Sequence, residues 1–358
     1  MIMIRPGTDA DRPQILERIA EVFGRAHAQR AEHLWDWQWH QNPRLPTPGY
    51  RGVVADWQGQ IIGTLSTTPA GLHLGGAPVT AHWCFDMLVH WGLMRQALRE
   101  HRRSASADAP DLSRGIAAAL LDHPAAGPIQ LAKHISDPMM AIIERIGFTA
   151  LGESGSLHRR VSLKHTLGRT LGPRLGGLIG SLADLALPRD AKPRLPVEVL
   201  PGAFDTRFDH LWDTVHPRYP AICRRDAQTL NWRYRRHPDG DQYQVLITGD
   251  GMRLRGYAVL LTYTKGQRRW AKIVDLLTAP GDHEAIHALA AGALCALRTW
   301  RAERVEVFAC GDGIKTIFQS MGFVPRLTKS DRPQPLMVRA LPAAAAGIYV
   351  TQGDGDGG

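Results

Sequence analysis

At 358 residues the chain exceeds one ordinary domain, and 44% hydrophobic with 22% charged residues describes globular cores rather than a disordered or fibrous chain. The formal net charge of +9 favours an anionic partner, which nucleic acid, a membrane surface, an acidic carrier protein or a phosphorylated small molecule would each satisfy. Cys84, Cys223, Cys295 and Cys310 show neither C-x-x-C spacing nor a disulfide framework, which excludes a zinc ribbon and points to a reducing compartment.

The opening "MIMIRPGTDADRP" lacks the charged-then-apolar order of a signal peptide. It reads as a short strand and turn, followed by helix-spaced apolar residues in "QILERIAEVF". The aromatic phrase "WQWHQNP" (37–43) comes next, where the proline stops a short helix or turn. "RGVVADWQGQIIGTLS" alternates about a Gly-containing turn and predicts a β-hairpin. The strand "AHWCFDMLVH" carries Asp86. A polar, basic insertion (91–112) contains Arg95, Arg99, Arg102 and Arg103. It suits a lid or a docking site for an acidic partner, or a solvated loop. "SRGIAAALL" opens a helix, "PIQLAKHI" is a strand, and a last helix ends in "IERIGF". A Pro-, Gly- and Arg-rich stretch (163–195) reads as a linker with one short helix. Its cationic part suits a membrane surface as well as a plain linker. The longest apolar run, 175–187, is glycine-broken and too short to span a bilayer.

The remainder repeats this layout. "VEVLPGAFDTRFDHLWDTV" matches the first strand and helix, "WRYRRHP" the aromatic phrase, and "AKIVDLLTAP" with Asp275 the Asp86 strand. Trp37 lies 35 positions after Ile2, and Trp232 lies 35 after Val197. Gly147-Phe148 and Gly322-Phe323 close the two copies. Each reads β-α-β-β-β-α-β-α-β, so the chain is a tandem duplication. The expected domains are 1–162 and 196–340, with a flexible tail over 341–358. Asp354 and Asp356 lie in that tail and lack the ligand count for calcium.

This strand order, together with "SRGIAAALL" and "IERIGF", resembles the GCN5-related N-acetyltransferase superfamily. The frame Q/R-x-x-G-x-G/A falls on Leu112, Gly115 and Ala117, with leucine in place of the usual first residue. The resemblance implies an α/β fold with mixed, mostly antiparallel sheets flanked by helices, one in each of two tandem domains. It implies an N-acyltransferase. The donor is acetyl-CoA, another acyl-CoA or the pantetheine of an acyl carrier protein, and the acceptor is a small-molecule or peptide amine in a groove between the domains. The setting is cytoplasmic, with no metal, no nucleic acid and no membrane span.

Physical chemistry supports the loop independently. A helix N-terminus offers free N–H groups and partial positive charge, and small residues let a pyrophosphate approach. Arg114, Gly115, Ile116, Ala117 and Ala118 supply this in copy one. In copy two Asp282 and Glu284 stand there, repelling an anion and capping a helix. The resemblance also puts Leu88 and Val89 in the backbone that pairs with pantetheine and donates to the oxyanion. It makes Asp86 the base, with His90 a proton relay. Asp86 equally suits a structural ion pair, since Asp275 holds the same place in the other copy. Ile143 and Phe318 occupy the superfamily's tyrosine position and cannot donate a proton, which leaves water, Ser136 or direct departure of the thiolate. Two further readings remain: an aminoacyl-tRNA-dependent peptidyl transferase of the same duplicated fold, and a non-catalytic acyl-CoA-binding scaffold. The aromatic phrase, written twice, reads as packing beneath a sheet, with Gln38, His40 and Gln41 at an acceptor wall.

Overall fold

The computed structural model describes residues 1–104, 112, 115–151, 154–172, 174–184, 192–309, 313–326, 335–345 and 347–355. Two compact units emerge, one from 1–71, 79–149 and 337–341, the other from 72–78, 150–336 and 342–358.

The chain opens with β1 (Ile2–Pro6), α1 (Arg12–Phe23), α2 (Arg25–Trp39), β2 (Gly52–Trp57) and β3 (Gln60–Pro69). Asp11 ends the turn before α1 and grips Arg5 with two hydrogen bonds of 2.8 Å. Ile15 and Ile19 bury one stripe of α1, and Gly24, at φ 96°, breaks the helix so that α2 can start. Trp37 and Trp39 of the aromatic phrase end α2 and are buried. Trp39 stacks on Phe85, and Trp35 stacks on Tyr50.

Next come β4 (Leu72–Leu74), β5 (Ala77–Val79), β6 (Ala81–Val89), α3 (Trp91–Ser104), α4 (Ile116–Asp122), β7 (Ile129–Ala132), α5 (Asp137–Arg145) and β8 (Thr149–Leu151). The first sheet runs β1-β2-β3-β6-β7, then Leu336–Arg339, then β8. Of its registered pairs only β6 with β7 is parallel. The basic insertion begins as helix α3 rather than as a loop. Ala97 is buried, Leu93, Met94 and Leu98 pack on the core, and His101 Nδ1 accepts from the Ile2 N–H at 3.2 Å. Arg95 and Arg99 are exposed, while the side chains of Arg102 and Arg103 lie outside the described residues.

The second unit holds β9 (Gly155–Arg160), α6 (Lys164–Leu171), α7 (Leu175–Asp184), β10 (Glu198–Val199), α8 (Thr206–Val215), β11 (Ala221–Cys223) and α9 (Ala227–Leu230). After a π turn, Asn231–Arg235, follow β12 (Tyr243–Gly249), β13 (Leu254–Lys265), β14 (Arg268–Thr278), α10 (His283–Thr299), β15 (Arg304–Ala309), α11 (Ile314–Ser320) and β16 (Val324–Pro325). Its sheet runs β10-β12-β13-β14-β15-β9-β16, and again a single registered pair, β14 with β15, is parallel. "WRYRRHP" falls on the π turn, with Trp232 and Tyr234 buried.

Three expectations are corrected. The first domain does not run to 162 and the second does not stop at 340. After each Gly-Phe pair one short strand, β8 or β16, stays in its own copy's sheet, and the strand after it joins the sheet built mainly by the other copy: β9 sits beside β15, and β17 (Leu336–Arg339) beside β7. The linker carries two helices, α6 and α7, rather than one. Part of the tail is packed rather than free: β18 (Ile348–Tyr349) pairs in parallel with β11, and residues 348–354 are buried. Asp356 lies outside the described residues. Among those described, no helix is long and apolar enough to cross a membrane.

Candidate functional site

In the first unit β6 outruns its parallel neighbour. Registered pairing with β7 covers Ala81, His82 and Trp83 and stops there, six residues before β6 ends at Val89. On its other edge β6 stays in the ladder with β3, from Pro69↔His82 to Gly63↔Val89. Leu65 faces two residues, Asp86 and Met87, which makes a β-bulge. Asp86 has φ 46°, a left-handed conformation that aspartate tolerates better than most residues, and its carbonyl accepts from Thr64 Oγ1 at 3.2 Å.

The bulge resets which backbone groups face the open edge. The His90 N–H donates to Ile62 O at 2.8 Å, within β3. Antiparallel alternation then turns Leu88 toward β3 as well and Val89 the other way. Val89 thus offers its N–H on the open side, while that of Leu88 is directed into the ladder.

Helix α4 reaches this strand because β3 carries a glycine beneath it. A Cβ on Gly63 would lie 3.2 Å from Ile116 Cγ2 and 3.3 Å from Leu88 O. Gly115, at φ 88°, precedes the helix, and Ile116 and Ala118 are buried against the core. Gly115, Ile116, Ala117 and Ala118 therefore start a helix packed beside Leu88. Arg114 lies outside the described residues.

Two imidazole–carboxylate pairs reach β6 from either side of Gly24. His27 Nε2 lies 3.0 Å from Asp86 Oδ1, and His90 Nε2 lies 3.4 Å from Glu21 Oε2. His90 Nδ1 accepts from the Leu93 N–H at 3.1 Å, so this ring caps α3 with its proton on Nε2. Ser136 is exposed at the N-cap of α5, just past the strand that parts from β6. Ile143 and Phe318 are core residues. Burial pushes the Cys84 thiol up to about 12, which keeps it neutral. The structure thus gathers Asp86, Leu88 and Val89 on one strand, with His90 directly after it and residues 115–118 beside it, and sets Ser136 on another element. His27 and Glu21 escape the sequence reading. Their only signal is the Gly24 break, which marks a turn but not what the turn faces.

The second unit repeats the design and fills it. Pairing of β14 with β15 stops at Ile273↔Val307, and Val274 is bulged. The chain's own C-terminal residues occupy the gap. Tyr349 OH donates to Leu276 O, and Thr351 Oγ1 donates to Asp275 Oδ1 at 3.0 Å. A Cβ on Gly353 would meet Tyr234 OH at 2.1 Å. Asp275 also accepts from Arg225 Nε (3.0 Å), Tyr234 OH (3.1 Å) and Tyr257 OH (3.2 Å), and Asp354 pairs with Arg225 and Arg233. All these groups are buried, two guanidiniums against two carboxylates. The void left between β14, β15 and the tail is about 10 Å³, room for one water. At the start of α10, Asp282 caps Ala285 N, and Arg255 holds both Asp282 and Glu284.

The residues of the first unit fit an extended thioester arm beside β6 and an anion near α4; in the second the gap beside β14 is filled, and a cavity of about 370 Å³ lined by Gly281, His283, Gly313 and Tyr349 lies at the start of α10. Among the described residues no cluster of His, Cys, Asp and Glu suits a metal ion.

No family model and no curated protein matches the sequence. Solved structures do match. A GCN5-related N-acetyltransferase from Anabaena variabilis has a TM-score of 0.58 at 13% identity, over 95% of this chain and 73% of that one. A probable N-acyltransferase from Enterococcus faecalis has 0.55 at 9% identity, over 95% and 72%. Saccharomyces cerevisiae N-myristoyltransferase with bound myristoyl-CoA has 0.54 at 10% identity, over 96% and 79%.

Proposed function

From a chain with the GCN5-related N-acetyltransferase fold, we propose an N-acyltransferase whose first unit moves an acyl group from a CoA or carrier-protein thioester to an amine. The observation that carries this reading is the open half of β6, with its bulge, the outward Val89 N–H and the start of α4 together. A thioester bound there supplies an activated acyl group and a good leaving group. The Val89 N–H faces the negative charge that builds on the carbonyl oxygen. Asp86 takes the proton from the acceptor ammonium, with His27 holding the carboxylate and passing the proton outward. No tyrosine acid is required, because a thiol of pKa about 8.5 leaves readily as the thiolate. His90 serves as a positioning residue that fixes α3.

Asp86→Asn tests the assignment. The variant is expected to bind acetyl-CoA as the parent does and to lose thiol release with an amine panel. Full retention of thiol release would assign Asp86 to the ion pair alone.

A further inference from the structure

The hairpin of α6 and α7 has the sidedness of a core helix turned outward. Leu175, Leu178, Ile179 and Leu182 recur at i, i+3, i+4 and i+7, a stripe that normally faces a core. Here Leu178 is 69% and Leu182 68% exposed, and Leu171 at the end of α6 is exposed too. The inward face is glycine. A Cβ on Gly176 would lie 2.0 Å from Leu167 O, and one on Gly180 2.4 Å from Lys164 Cα, so the two backbones touch. Polar ties complete the hold: Asp184 accepts from Ser162 Oγ at 2.8 Å, and Thr166 Oγ1 donates to Glu303 at 2.8 Å. None of these contacts uses the leucine stripe.

A contiguous exposed apolar stripe marks an interaction surface, and the charge around it names the partner. Between residues 160 and 194 the sequence carries seven Lys and Arg against two Asp. Lys164 and Arg174 are exposed, the latter directly before the stripe. Leucines on one face with cations alongside are the pattern of a helix lying in the interface of an anionic bilayer. We infer that the α6–α7 hairpin docks the protein on an anionic membrane surface, with Leu175, Leu178, Ile179 and Leu182 entering the headgroup boundary.

The test is co-sedimentation of the full chain with two kinds of vesicle: phosphatidylcholine alone, and equal parts phosphatidylcholine and phosphatidylglycerol. Binding is expected only to the second and is released by raised salt. A Leu178→Glu, Leu182→Glu double variant is expected to lose binding with its melting temperature unchanged, since both side chains already face water. Arg174→Glu, which keeps the leucines, is expected to require more anionic lipid. No binding to the anionic vesicles overturns the inference, as does equal binding by the double variant. A chain that ignores vesicles but forms a dimer dissolved by the double variant would make the stripe an interface between copies, and overturn it as well.

Discussion

Asp86 owes its reach to an unusual backbone. Its left-handed φ lifts the carboxylate out of the strand's alternation toward His27, 59 positions earlier in sequence. Asn tolerates the same conformation, so Asp86→Asn removes charge while keeping the bulge. We expect turnover to fall by about a hundredfold or more with melting unchanged. A drop in melting temperature with turnover intact would mean a structural pair. Asp86 was readable as a carboxylate on the strand after the hairpin. His27 was not, because its role depends on where Gly24 turns α2. Asp11 makes a separate prediction. Its hydrogen bonds from Arg5 hold its carboxyl below the usual aspartate range. The stability this gives is present above the ordinary aspartate pKa and is lost as pH falls through the lowered one. Thermal melts of Asp11→Asn should therefore fall below the parent at neutral pH and converge with it in acid. A gap that persists in acid would point to another cause.

At the scale of elements, the slot depends on how closely α4 approaches β3. Gly63→Ala puts a methyl group against Ile116 and Leu88 O. It should cost about 1–3 kcal/mol by chemical denaturation and weaken acyl-CoA binding. Unchanged binding would separate α4 from the site. The small-residue helix could be read from "SRGIAAALL", since its chemistry is local. The basic insertion misled because its arginines stand out, while Leu93, Met94, Ala97 and Leu98 share one packed face. The tail misled for a different reason. An aspartate among glycines reads as mobile unless its partners are known, and Arg225, Arg233 and Asp275 lie far upstream. Asp354→Ala leaves two buried guanidiniums short of charge and should cost about 3–5 kcal/mol. An unchanged denaturation midpoint would contradict this account of the buried charges.

Across the whole molecule, duplication was legible because spacing survives where side-chain identity does not. Domain boundaries were not legible. Past each Gly-Phe pair one short strand stays in its own copy's sheet and the following one, β9 or β17, joins the sheet built mainly by the other copy, and only long-range pairing decides that. A fragment of residues 1–162 would lack β17, whose Met337 is buried in the first core, and would expose the edge of β7. We expect it to unfold without a cooperative transition, and a sharp one would refute the shared-strand account. The two copies thus keep one layout and differ at one place: the first leaves the gap beside its bulged strand open, and the second fills it with residues 349–354. Calorimetric titration of the full chain with acetyl-CoA and longer acyl-CoAs tests this division most directly. The account predicts one site per chain; no binding of any acyl-CoA, or two sites, would contradict it.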